Sequence, residues 1–338
     1  KLMLDKPTTT TTTLGMPQNL EVQKYVVLPG LAMYFAGQWI VNLNYWGCNQ
    51  YITQRALGAD LPTARNGILF AAFLKMLMPI IVVLPGIAAY LLHKDGMFQQ
   101  EMLKDGVINQ DSAYPVLLNL LPAGLKGLSF AALTAAVVAS MAGKLNSIST
   151  IFTLDIYKKY INTNSTEKQL VSVGRLAVVG AMVLAIAIAP FMGIDKKGGF
   201  EFIQEYTGYV SPGIFALFIL GFFWKRTTSN AALFALIGGV TFSIMSKYIP
   251  TWTGVNDCIF YTAFLDGDVY MIPFMDRMGW VFIFCVVSMV LISLADPASK
   301  NNPKGLEIDA KMFKLEPTFI LGAVIVVMGI VALYTYFW

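Results

Sequence analysis

The sequence predicts an all-α fold, a polytopic transmembrane helix bundle. Three observations carry the prediction. Hydrophobic residues fill 56% of the 338 positions, charged residues only 13%, and mean hydropathy is +0.62, a balance far from that of soluble domains. The apolar residues gather into stretches of about 20, the length a helix needs to cross about 30 Å of hydrocarbon. The polar residues interrupting those stretches are mostly amides, hydroxyls and aromatics rather than charges.

Eight candidate spans follow, near 25–50, 67–92, 125–152, 169–192, 200–224, 230–247, 278–295 and 317–338. The third and fifth run long. Pro29, Gly37, Gly47, Pro79, Pro85, Gly143, Gly208, Pro212 and Gly213 lie inside them, and an embedded helix tolerates such breakers only where neighbours re-satisfy the freed backbone groups. Bent or broken helices in a packed bundle are therefore expected.

Loop charges set the orientation. Arg55 and Arg65 follow the first span, Lys158, Lys159 and Lys168 the third, Lys225 and Arg226 the fifth, and Lys300, Lys304, Lys311 and Lys314 the seventh. Those loops are expected in the cytoplasm. The alternate loops carry fewer basic residues, two of them, 93–121 and 249–278, are rich in Asp and Glu, and they read as external. Residues 1–24, with a threonine tract at 8–13, read as an external tail. The chain begins at Lys1 and its first residues hold no apolar signal region, so the sequence reads as a fragment entered at a loop.

Composition also excludes functions. A net charge of +4 without a basic cluster argues against nucleic acid as a partner. Cys48, Cys258 and Cys285 form no CxxC pair, and His93 is the single histidine, so histidine-based metal or triad chemistry has no material. The spans offer no set of nucleophile, base and orienter. An enzyme is not expected.

The most informative run is NLNYWGCNQ at 42–50, polar and aromatic where an apolar chain should be crossing a membrane. Hydrocarbon offers Asn42, Asn44, Asn49 and Gln50 no hydrogen-bond partners, so they must face a bundle interior, a cavity or a membrane surface. On a helix Asn42, Tyr45 and Asn49 would share one face, with Trp46 beside them.

Further polar groups each admit a structural and a functional reading. Lys75 lies deep in the second span, facing a cavity or snorkelling to the surface. Phe200, Gln204, Thr207 and Ser211 form a wettable stripe on the fifth span, either a solute contact or interhelical glue. Ser140, Asn146, Ser147, Ser149 and Thr150 on the third span admit the same pair of readings. Glu205 is the one carboxylate in the apolar part of a span, and its default role is a structural pair or a solvated rim. With so few buried acids, any coupled ion must rely on neutral oxygen ligands suited to a small hard cation. Amides, a phenol, an indole, an ammonium and hydroxyls together suit a neutral polyhydroxylated solute such as a sugar.

The stretches NLNYWGCNQYITQRALGAD, FAAFLKMLMPIIVVLPGIAAY, FAALTAAVVASMAGKLNSISTIFTLDIYKKY and FEFIQEYTGYVSPGIFALFILGFFWKRTTS, in this order, resemble the sodium:solute symporter family. The resemblance implies a LeuT-like inverted-repeat fold of two five-helix repeats with added peripheral helices. It implies that 25–224 is the second repeat, that 225–338 supplies three peripheral helices, and that the first repeat is missing. It further implies sodium-coupled symport of a neutral sugar, galactose or glucose, across a plasma membrane, most simply a bacterial inner membrane. Asn42, Lys75 and Gln204 match positions that hydrogen-bond sugar hydroxyls. Tyr45, with Trp46 beside it, matches the aromatic that stacks on the pyranose and closes the inner gate, and Phe200 an outer-gate aromatic. The sodium ion site maps to the carbonyl of Ala136 and to Ala139 and Ser140, where Ala139 stands in place of an expected serine. Asn44 likewise replaces an aromatic beside the gate. Another solute in the same fold, such as a polyol, amino acid or vitamin, and a non-transporting sensor or scaffold are the alternatives.

Overall fold

The computed structural model describes residues 36–104, 106–191, 199–258, 260–266, 269–301, 309 and 313–337. In chain order its α-helices are α1 (Gly37–Leu43), α2 (Gln50–Ala56), α3 (Leu61–Met76), α4 (Leu84–Lys94), α5 (Ala113–Leu118), α6 (Ala123–Thr150), α7 (Glu167–Ile188), α8 (Gly199–Phe223), α9 (Ser229–Lys247), α10 (Ile249–Thr253), α11 (Phe274–Ala295), α12 (Ala298–Asn301) and α13 (Pro317–Phe337). Wider π-helical segments extend three of them: Asn44–Cys48 after α1, Pro79–Val83 before α4 and Ile151–Ile161 after α6.

Among the described residues, seven helical stretches are long and apolar enough to cross a membrane: Leu61–Lys94, Ala123–Ile161, Glu167–Phe191, Phe202–Phe223, Ser229–Lys247, Phe274–Ala295 and Pro317–Tyr336. They answer to the second through eighth expected spans, and the chain is a multi-pass membrane protein. The first expected span is described only from residue 36 onward. Residues 25–35 and the tail at 1–24 lie outside the described residues. The all-α reading holds for the spans, while among the described residues the loops between them add three small antiparallel hairpins, Leu103–Lys104 with Val107–Ile108, Asp257–Cys258 with Tyr261–Thr262, and Phe264–Asp266 with Val269–Met271. Strands of two or three residues carry no hydrophobic period that a sequence reading could register.

The chain divides into two compact units, one from the described residues up to Asn49 together with Ile203–Lys314, the other Gln50–Phe202 with Leu315–Phe337. In the first, Ala216, Ala231, Ala235, Val281, Cys285 and Met289 form a fully buried cluster among α8, α9 and α11. Small residues let the backbones meet. A Cβ on Gly239 would lie 2.9 Å from Cys285 Sγ and 3.2 Å from the Cα of Gly213, and one on Gly213 would collide with the carbonyl oxygen of Ala235, so glycine is required at this crossing. The ring of Trp39 on α1 meets Phe215 of α8 at 5.7 Å and Phe282 of α11 at 5.5 Å, edge-on in both cases.

One end of this unit is closed by polar groups. Thr228 caps α9 by accepting the N–H of Ala231, the N–H of Thr228 donates to Ser293 Oγ at 3.2 Å, Asn230 Nδ2 donates to Asp296 at 3.1 Å, and Arg226 Nε donates to Ser299 Oγ at 3.2 Å. The segments carrying Lys225, Arg226 and Lys300 thus lie at one end, as the charge pattern requires.

In the second unit Asp60 caps α3 by accepting the N–H of Thr63 at 3.4 Å. Hydrogen bonding from Thr63, outweighing desolvation, holds the Asp60 carboxyl below its ordinary range. Thr166 and Gln169 form a reciprocal capping box at the start of α7. Helix α13 lies along α3: a Cβ on Gly322 would touch Leu69, and one on Gly329 would touch Met76. Both partners advance by seven residues, so the two helices run parallel. Among the described residues the apolar stretches of α3 through α4, of α6 and of α13 are almost entirely uncovered, whereas those of α8, α9 and α11 bury about a third of their residues. Apolar surface of that extent belongs in lipid or against further protein.

Candidate functional site

The polar run at 42–50 is not one continuous α-helix. Helix α1 ends at Leu43, residues 44–48 form a π-helical turn, and Asn49 is extended at φ −86°, ψ 118°. The expected shared face of Asn42, Tyr45 and Asn49 is therefore broken, because the wider turn and the extended residue rotate Asn49 out of helical register. A break of this kind inside a span releases backbone carbonyls from helical pairing and concentrates polarity at one depth. The Nδ2 of Asn42 donates to the carbonyl oxygen of Gln38 at 2.8 Å. Tyr45, 39% exposed, stands edge-on to Trp46 with ring centroids 5.9 Å apart. Asn44 Oδ1 is buried and accepts no hydrogen bond among the described residues.

Gln204 lies on α8 in the same unit, half-buried, one turn before Thr207 and two before the buried Ser211. Thr207 returns its hydroxyl to the carbonyls of Ile203 and Gln204 at 2.6 and 3.1 Å, so that part of the stripe serves its own helix. Phe200 falls in the first turn of α8, and its side chain lies outside the described residues.

The second unit holds the remaining candidates. Lys75 is exposed in the last turn of α3, shortly before the π-helical turn that Pro79 opens. Ala136, Ala139 and Ser140 occupy one face of α6 at helical spacing, and each is exposed. A carbonyl from Ala136 and a hydroxyl from Ser140 are hard oxygen donors of the kind a small cation takes. Ala139 offers no side-chain oxygen.

One cluster was absent from the sequence reading. Lys247 Nζ donates to Glu205 Oε1 at 2.7 Å, the hydroxyl of Tyr209 donates to the same oxygen at 3.2 Å, and Arg277 Nη2 stands 4.0 Å away. The Arg277 guanidinium lies over the Tyr209 ring at 4.5 Å and is 1% exposed, with Nε and Nη2 making no hydrogen bond among the described residues. Glu205 is thus paired, the first of the two default roles, structural pair or solvated rim, that its sequence context suggested. The signal for its partners was available: Lys247 and Arg277 are basic residues at span ends facing the side where the charge rule expects few. Helix α11 begins at Phe274 rather than at 278, which brings Arg277 into its first turn.

The sodium:solute symporter family pattern matches residues 3–239. The chain belongs to the sodium:solute symporter family. Among its curated relatives, a sodium/glucose cotransporter of Vibrio parahaemolyticus is 42% identical over 93% of the chain and 56% of its own length. The human sodium/myo-inositol cotransporter 2 is 36% identical over 62% of the chain and 32% of its own length. The uncharacterized symporter YidK of Escherichia coli is 34% identical over 64% and 36%. The chain therefore spans between a third and just over half of the relatives it matches. Membership of this family agrees with the seven apolar helices found among the described residues, which make it a multi-pass membrane chain.

Proposed function

We propose that the full-length protein is a sodium-coupled secondary transporter carrying a neutral sugar inward by alternating access. The observation that carries this reading is the 42% identity to a sodium/glucose cotransporter across 93% of the chain. The retained polar set agrees with it. Asn42, Lys75 and Gln204 would bond sugar hydroxyls, Tyr45 with Trp46 beside it would cover the ring face, and Phe200 would serve the outer gate. In the same reading 25–224 is the second five-helix repeat and 225–338 is peripheral.

Sodium is the coupled cargo, held by the Ala136 carbonyl and the Ser140 hydroxyl. Coupling requires only that sodium bind the outward-open and inward-open states unequally. The π-helical turn at Asn44–Cys48 gives Tyr45 a segment with fewer helical constraints, which suits a residue that moves aside on release.

A polyol substrate is the second reading, favoured by the similarity to sodium/myo-inositol cotransporters. Ala139 favours a third, a sensor of the same fold without coupling. Uptake of labelled galactose, glucose and myo-inositol into proteoliposomes of the full-length protein, with and without an inward sodium gradient, separates them. Sodium-driven galactose or glucose uptake supports the proposal. Myo-inositol uptake alone moves the substrate to a polyol, and no gradient-driven uptake of any of the three defeats symport of a sugar or polyol.

A further inference from the structure

The carboxylate of Glu205 sits where three helices meet in the first unit. Its Oε1 receives Lys247 Nζ from the end of α9 at 2.7 Å and the Tyr209 hydroxyl from its own helix at 3.2 Å, with Arg277 from the start of α11 at 4.0 Å. Arg277 is 1% exposed and lies on the Tyr209 ring, so the two cations are held close together in a largely dry place by one anion. Neighbouring residues on a helix point about 100° apart. Glu205 therefore turns toward α9 and α11 while Gln204, the residue before it, sits on the flank of the same turn. Below them Gly208 packs directly on Met278, and Ser211 and Pro212 are buried. Ile203, Tyr206 and Val210 on the other side are exposed.

We propose that Glu205 is a positioning residue for solute recognition, fixing the rotation and height of the outer end of α8 so that the Gln204 amide is presented in one orientation. The inference rests on the reading of Gln204 as a solute contact. Without the carboxylate, Lys247 and Arg277 repel, the α8 turn loses its anchor to α9 and α11, and Gln204 samples several orientations. Removing Lys247 as well relieves the repulsion. That reversal separates a charge-balanced anchor from a residue that is needed only for folding.

The test measures sodium-driven sugar uptake by the full-length protein in proteoliposomes, for the unmodified protein, Gln204→Ala, Glu205→Gln, Glu205→Asp and Glu205→Gln/Lys247→Met. Folded transporter is quantified for each by size-exclusion chromatography. The expected result is a sugar KM about tenfold higher in Glu205→Gln, a maximal rate per folded transporter within about twofold, and an unchanged sodium half-saturation. Recovery of most of the KM change is expected in Glu205→Gln/Lys247→Met and partial recovery in Glu205→Asp. If Gln204→Ala raises KM but Glu205→Gln does not, the positioning role is overturned and the solute site stands. If Glu205→Gln merely lowers the yield of folded protein with KM unchanged, it is likewise overturned. If Gln204→Ala has no effect, or the unmodified protein takes up no sugar, the site reading falls and this inference falls with it.

Discussion

Asp111 accepts the backbone N–H of Gly199 with both carboxylate oxygens, at 3.0 and 3.3 Å, across 88 residues of sequence. A carboxylate at the first N–H groups of a helix satisfies a donor without an intrahelical partner and complements the helix dipole. Asp111→Ala is expected to cost about 0.5 kcal/mol. It should raise deuterium uptake in peptides covering the start of α8 while leaving those of α9 unchanged. Equal uptake in both variants would show that the contact holds nothing in place.

The crossing at Gly213 is expected to be intolerant of any side chain. A Cβ there meets the Ala235 carbonyl, a backbone group that cannot rotate away. Gly213→Val should destabilise by about 1–3 kcal/mol, the range for overpacking a well-packed site, read as a lower unfolding temperature in detergent. Gly221 has nothing within contact range of its Cβ, and Gly221→Ala on the same helix should be nearly silent.

Ala139 sets the strength of the proposed sodium site. If Ala136 and Ser140 hold the ion, Ala139→Ser adds a third oxygen one residue from Ser140, and the sodium half-saturation for uptake should fall several-fold. Ser140→Ala should raise it by at least as much. Neither change should alter sugar KM at saturating sodium, and an effect on sugar KM alone would place these residues elsewhere in the cycle.

Tyr45 is expected to act through its ring. Tyr45→Phe should keep sugar KM within about threefold, whereas Tyr45→Ala should raise it at least tenfold, since an aromatic face contributes most of its contact through area. A large loss in Tyr45→Phe would instead assign the work to the hydroxyl.

Orientation can be read by membrane-impermeant maleimide in intact cells. In a Cys258→Ser background, which removes the native thiol of the 249–278 loop, Gln100→Cys, in the 93–121 loop, should label from outside, and Asn164→Cys, between α6 and α7, only after permeabilisation. Both side chains are exposed, so a failure to label reports sidedness rather than burial.

Much of this was legible in the chain because hydrocarbon imposes a simple length and polarity rule. Seven expected spans correspond to helices, and Pro79 and Gly47, read as breakers, fall in π-helical turns. The break at Asn49 was harder, since Asn42, Tyr45 and Asn49 fit a helical template and only the backbone shows the change of turn. The partners of Glu205 were overlooked because Lys247 and Arg277 stand at span ends, where a basic residue is usually discounted as solvated. Hairpins such as Phe264–Asp266 with Val269–Met271 are too short to leave a period in the sequence.

The parallel contact of α13 with α3, through Gly322 on Leu69 and Gly329 on Met76, has a bearing on biogenesis. Synthesis reaches α13 after every other described helix, long after α3 has entered the bilayer. The Leu69 and Met76 face of α3 must therefore be covered by lipid or by other protein for most of translation, and whatever covers it must leave before the two helices dock. Completion of the second unit is thus a lateral association inside the membrane rather than a step of insertion.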